Sequence, residues 1–208
     1  MQAKITNQKG DTMQLTVQGK QMELGESLKT HVEGKLGDIN AKYFNRAIEA
    51  IVTFSPEGHA FTKTHISIRV GKDIMVISDA TETDPYVSFD QAANKVAKQL
   101  RRYKRKLRDH HDRMDSVPAD SYVAALDYTL SAEQDNEEEV SDHLVIAEIT
   151  THIPTLTASE AAMRLDLSGL PALMFRNVSH NGLNMVYRRA DGNVGWVDPD
   201  GKTTKVGK

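Results

Sequence analysis

Eight cations crowd one short stretch of this chain. Lys95, Lys98, Arg101, Arg102, Lys104, Arg105, Lys106 and Arg108 all fall within "NKVAKQLRRYKRKLRDHH". No acidic residue interrupts them between Ala92 and Arg108, although the formal net charge of the 208-residue chain is only -3. The chemistry open to such a set is neutralisation of a polyanion. A solvated helix face ordinarily mixes signs, because Glu and Lys one turn apart attract. Here like charges stand four apart: Lys98 with Arg102, Arg101 with Arg105, Arg102 with Lys106, and Lys104 with Arg108. Each such pair costs about 0.2–0.5 kcal/mol. Counterion release from bound phosphates is a physical source of compensation. An anionic membrane is the competing partner, but an interfacial helix must keep a bulky apolar face free for lipid. The apolar residues of this helix are needed elsewhere, so nucleic acid is preferred over a membrane. Composition does not choose between RNA and DNA.

Other reactive arrangements are weak. There is no Gly-rich phosphate loop. His110 and His111 are adjacent and lack the one-turn spacing that lets two imidazoles share a metal. Asp79, Glu82 and Asp84 are expected to be turn and cap residues. Ser121 has no neighbouring base, and Ser159 falls inside a capping box. With zero cysteines there is no thiol nucleophile, disulfide framework or thiolate metal site. We expect no catalysis, no cofactor, no metal and no small-molecule substrate.

The elements that position the cations follow from periodicity. "MQLTVQG" from Met13 alternates as a half-buried strand should. Leu28, Val32, Leu36 and Ile39 mark one face of a helix. "AIEAIVTFS" predicts a strand with Ile48, Ala50, Val52 and Phe54 inward. "KTHISIRVGKDIMVISDA" predicts two more strands joined at "GKD". Asp84 then caps, and Pro85 opens, a long helix. Phe89, Ala93, Val96, Leu100, Tyr103 and Leu107 form its apolar face, and Tyr103 is expected to pack on the sheet. The fold class is α+β: an N-terminal βαβββα domain, with two helices on one face of a four-stranded sheet, plus a small C-terminal β-rich domain with one short helix.

Residues 1–12 are expected to be an N-terminal extension, 13–111 the nucleic-acid-binding domain, 112–142 an acidic flexible linker and 143–208 a second domain. The linker holds Asp112, Asp115, Asp120, Asp127, Glu133, Asp135, Glu137, Glu138, Glu139 and Asp142, opposed only by Arg113. Such composition suits a tether with a reach of roughly 30 Å. A sharper possibility is a pseudo-substrate for the basic helix. The apolar patch "YVAALDYTL" inside it is expected to form a transient helix. In the second domain "HLVIAEIT", "ALMFRN", "LNMVYRR" and "VGWVD" are strands. "TASEAAMRLDLSGLP" is a helix with a Thr157–Glu160 capping box and a Gly169 stop. A unit of fewer than about 70 residues has a marginal core, and self-association is a common remedy. The longest aliphatic run, "LVIA", is far below the roughly 20 residues that span a bilayer. "MQAKITNQKGDT" has no apolar core for a secretion signal. A cytosolic location is expected.

At "DPYVSFDQAANKVAKQLRRYKRKL" and "VYRRADGNVGWVDP" the chain resembles the long form of the ribosome hibernation promoting factors. Asp84, Tyr86, Asp90, Lys95, Gln99, Leu100, Arg101, Arg102 and Lys104 match the first motif. Val186, Tyr187, Arg188, Arg189, Asp191, Gly192, Asn193, Gly195 and Pro199 match the second. The chain departs from the pattern at Ser88, where Ala is usual, and at Trp196, where Leu is usual. Ala172 and Leu173 also replace larger aromatics. The resemblance implies binding to the small ribosomal subunit and its rRNA at the decoding region, in place of messenger and transfer RNA. It also implies a homodimer through the C-terminal domain, pairing two ribosomes. Phe175, Met185, Tyr187 and Trp196 are the candidates for that interface, each of which could equally serve the domain's own core. Competing readings are a general RNA chaperone, or a signalling module with a protein-binding C-terminal domain.

Overall fold

The computed structural model describes residues 2–6, 12–44, 47–70, 74–114, 122–131 and 145–199. Contacts divide the chain into two units, Met1–Ser116 with Ala162–Pro171, and Val117–Ala161 with Ala172–Lys208. The "GKD" turn and the most acidic part of the expected linker lie outside the described residues.

The first unit is a sheet of order β1-β2-β3-β4-β5, built from Gln2–Thr6, Thr12–Gly19, Ala47–Glu57, Phe61–Val70 and Ile74–Glu82. β2 and β3 are parallel, which requires a crossover, and helix α1 (Glu26–Ile39) supplies it. The remaining pairs are antiparallel. Helix α2 (Pro85–Met114) packs on β4 and β5 and against α1. The expected α+β layout therefore stands, with β1 from the N-terminal extension added as a fifth strand on the edge of β2.

Strict alternation on β2, β4 and β5 puts Met13, Leu15, Val17, Ile66, Ile68, Val70, Ile74 and Val76 into one core. Leu28, Val32, Leu36 and Ile39 of α1 meet them, as do Phe89, Val96, Leu100 and Leu107 of α2. One expected core residue is not there. Ile48 is 44% exposed, because the pairing of β3 with β4 slips between Ala47 and Glu49. The slip leaves Ile48 as an extra residue and breaks the alternation that would have pointed it inward.

Ser88, the departure from the family's usual Ala, is fully buried, and its Oγ lies 2.5 Å from the Oγ1 of buried Thr64. Ser88 Oγ also donates to the Pro85 carbonyl at 3.1 Å. Thr64 Oγ1 depends on Ser88 for its hydrogen bond, whereas Ser88 has the Pro85 carbonyl as well. Ser88→Ala should cost about 1–2 kcal/mol by stranding Thr64 Oγ1, Thr64→Val should cost less because Ser88 keeps its bond to the Pro85 carbonyl, and the double variant should cost less than their sum. Urea denaturation of the four proteins measures the coupling, and additive costs would remove it.

The second unit holds a four-stranded sheet of order β11-β10-β9-β8 and a two-stranded ribbon of β6 and β7. The ribbon pairs Val123–Leu130 with Val145–Ile153, antiparallel. "YVAALDYTL" is thus an extended strand and not the expected helix: its backbone groups find partners on β7. The sheet comprises Thr155–Leu156, Ala172–Asn177, Leu183–Arg188 and Val194–Val197. Helix α3 (Ala158–Ser168), which belongs to the first unit from Ala162 onward, opens on the expected capping box. Thr157 N–H donates to Glu160 Oε2 at 2.8 Å, and Glu160 N–H to Thr157 Oγ1 at 3.2 Å. Gly169, at φ +68°, ends it in the left-handed conformation that favours glycine. In the "ADGN" turn the Asp191 carboxylate accepts from Asn193 N–H and from Arg189 Nε. These bonds, that to the Asn193 backbone first, hold its pKa below the ordinary carboxylate value.

Candidate functional site

The start of α2 is fixed by local chemistry. Asp84 Oδ1 accepts the Tyr86 N–H at 2.7 Å and that of Val87 at 3.3 Å, and Pro85 occupies the first helical position. The motif residues Tyr86 and Asp90 then hold this turn to α1. Asp90 Oδ1 lies 2.9 Å from His31 Nε2 and 3.7 Å from Lys35 Nζ. The His31 ring meets Tyr86 and Phe89 edge-on at 5.4 and 5.7 Å between centroids. The sequence matched Asp90 to a motif without indicating its job, and gave no signal at all for His31 and Lys35. The His31–Asp90 contact spans 59 positions of chain.

All eight basic residues named from the sequence are exposed: Lys95, Lys98, Arg101, Arg102, Lys104, Arg105, Lys106 and Arg108. Ala92, Ala93, Val96, Leu100 and Leu107 are buried on the opposite side. At about 100° per residue the cations occupy more than half of the helix circumference, the whole arc that the core leaves free. They do not form a single stripe.

The eight are not equivalent. Lys95 Nζ donates to the Asp79 carbonyl at 2.7 Å and so ties α2 to strand β5. Arg102 lies 3.5 Å from Asp166 and 5.5 Å from the Tyr103 ring centroid. Lys106 lies 5.9 Å from the same centroid. Tyr103 is half-buried against the core, as expected, and its hydroxyl donates to Asp166 Oδ2 at 2.6 Å. Arg105 and Arg108 share Asp109, at 3.8 and 3.5 Å. Among the described residues no carboxylate lies within ion-pairing distance of Lys98, Arg101 or Lys104. Lys95, Lys98, Gln99 and Arg102 line one wall of a cleft whose other wall includes Ile77, Ser78 and Asp79. The His110 and His111 side chains lie outside the described residues.

The four self-association candidates separate by strand parity. Phe175 is fully buried, on the same face of the second sheet as Val186 and Trp196. It belongs to the unit's own core and has no free surface for a partner. Trp196 is 54% exposed, but its Nε1–H donates to Asn184 Oδ1 at 2.8 Å. That bond joins it to a polar network with Asn177 and Asp198. Met185 and Tyr187 point the other way, onto the outer face, with Met174, Leu183 and Val197. The Tyr187 ring lies over Gly195, where a Cβ would come within 2.3 Å of it. The outer face is open: Met174, Leu183 and Val197 are each more than 40% exposed. Met174, Leu183 and Val197 were not singled out from the sequence, because only the pairing register shows that they share a face.

Among the described residues there is no cluster of three or more His, Asp or Glu able to hold a metal, and no helix long and apolar enough to cross a membrane.

Two family models match the chain. Residues 15–108 match "Sigma 54 modulation protein / S30EA ribosomal protein", and residues 141–195 its C-terminal counterpart. The chain is 40% identical over 196 residues to the ribosome hibernation promotion factor of Bradyrhizobium diazoefficiens, covering 91% of this chain and 96% of that one. It is 32% identical to that of Rhizobium meliloti over 188 residues, covering 89% and 97%. The likeness to that of Bacillus subtilis is 27% over 190 residues, 90% and 99%. A solved structure, the N-terminal domain of Thermus thermophilus Protein Y, is similar with a TM-score of 0.38 and 22% identity, covering 42% of this chain and 94% of that one. These factors are not enzymes. Forty per cent identity over nine-tenths of its length, with both domain models matched in order, makes this chain a member of the ribosome hibernation promotion factor family.

Proposed function

We propose that the chain is a ribosome hibernation factor that occludes the small subunit without covalent chemistry. Helix α2 binds ribosomal RNA at the decoding region and takes space needed by messenger and transfer RNA. The observation that carries this reading is the distribution of charge on α2. A flat anionic surface, such as a membrane, engages one stripe of a helix. A rod that is cationic around its whole free arc suits a cleft with phosphates on more than one side. Phosphate contacts orient without reading bases, so specificity comes from the shape of that cleft. The second unit joins two such bound copies through the open outer face around Met174, Met185 and Tyr187. An uncovered apolar sheet face of this kind marks an interaction site.

A sucrose gradient of ribosomes with and without the full chain tests both parts. The protein should travel with the small subunit at physiological ionic strength, and part of the ribosome population should shift to a faster-sedimenting pair. Protein left at the top of the gradient refutes the assignment. Equal affinity for free RNA would favour a general RNA chaperone instead.

A further inference from the structure

The ribbon of β6 and β7 carries uncovered apolar side chains that the proposed function does not use. Leu126 is 49% exposed, Tyr128 50% and Ile146 65%. An isolated two-stranded ribbon is marginal in water, and three or more strands or a packed layer normally support it. Leu126 pairs with Thr150 and Tyr128 with Glu148, so Leu126, Tyr128 and Glu148 share one face. Neither strand contains a Lys or Arg, and between them they carry Asp127 and Glu148. Like charge therefore argues against a phosphate backbone as the occupant. The surface wants an apolar partner with an isolated cation.

The outer face of the four-stranded sheet has that character. Arg176 pairs with Leu183, next to the Met174–Met185 pair, and is the one charged side chain among the paired residues of this face. Its Nε is buried without a hydrogen-bond partner among the described residues. Among the described residues, the Leu126–Tyr128 face of the ribbon and the outer sheet face are thus open apolar surfaces, each bearing one charge, of opposite sign. In one chain both remain uncovered. We propose that they cover each other in trans. In a dimer the Leu126–Tyr128 face of each ribbon lies on the outer sheet face of the second copy, and the Glu148 carboxylate accepts from the Arg176 guanidinium. A two-fold axis makes this exchange twice and closes the assembly, leaving no free copy of either surface to recruit a third chain. The inference rests on the reading that the second unit self-associates, and assigns its partner surface to a ribbon whose first strand, β6, lies between the two matched family regions.

The chain has no cysteine, so introduced thiols are the only ones present. Full-length L126C and M174C chains, mixed in the reduced state and then oxidised, should give a covalent dimer, and each chain oxidised alone should give little. Sedimentation should show E148R and R176E each weakening the dimer by about tenfold or more, with the combined E148R/R176E chain recovering most of the loss. Circular dichroism of the E148R and E148R/R176E chains should match the parent. If M174C cross-links to itself and E148R leaves the dimer unchanged, the ribbon placement is overturned while self-association survives. An unmodified chain that stays monomeric at high micromolar concentration overturns both.

Discussion

Reversing Lys98, Arg101 and Lys104 together to glutamate should release the chain from the small ribosomal subunit at physiological ionic strength. These three are exposed and have no carboxylate partner among the described residues, so their charge is the part of the α2 field most available to RNA. Removing like-charge neighbours also relieves repulsion along the helix, so the fold should hold. Losing three phosphate contacts lowers the salt slope by about 2–3, and reversal adds repulsion, for an affinity loss of roughly 100- to 1,000-fold. Glutamine at the same three positions should fall between, because it removes attraction without adding repulsion. By contrast, Lys95→Glu confounds binding with the lost tie between α2 and the Asp79 carbonyl. Co-sedimentation over a range of salt concentrations reads both affinity and slope. Unaltered binding by the triple variant would remove α2 as the RNA-contacting element.

Met185→Asp should abolish self-association while leaving binding to single ribosomes intact. Met185 stands between Met174 and Val197 on the open face of the second sheet, so a carboxylate there is buried whenever that face is covered, and the one nearby cation, Arg176, is already taken up by Glu148 of the second copy in the proposed dimer. An unpaired buried charge costs several kcal/mol, which corresponds to a dissociation constant raised by about 1,000-fold or more. In the separated chain Met185 is only half-buried, and the variant should fold. Phe175→Ala provides the contrast. Its side chain belongs to the core, so its loss should lower stability by about 3–5 kcal/mol whether or not a partner is present. Light scattering and gradients distinguish the two: Met185→Asp removes the paired-ribosome peak, and Phe175→Ala unfolds the unit. A stable Met185→Asp dimer would exclude the outer face.

Much of the first unit was legible because its signals are local. The Asp84 cap, Pro85 at the first turn and the three- and four-residue spacing from Phe89 to Leu107 each act within a turn or two of chain. They placed α2 and its buried face correctly, and with them the exposure of all eight cations. The Thr157–Glu160 box and the Gly169 stop were equally readable. The misses share a different cause. Ile48 looked like a core residue because alternation assumes an unbroken ladder, and the slip beside Ala47 depends on β4. "YVAALDYTL" has apolar residues at both helical and strand spacing, so only its pairing with β7 decides between them. The Ser88–Thr64 bond joins positions 24 apart that no pattern connects.

The sequence alone determined which helix is cationic, where it begins and which of its faces is free, since capping, periodicity and charge repulsion operate between near neighbours. Tertiary structure decided which strands meet. It thereby settled which side chains of β9, β10 and β11 turn inward with Phe175 and which turn outward with Met185. A strand's two faces look alike until a partner covers one of them, and the choice of partner is made across the chain by burial and backbone pairing.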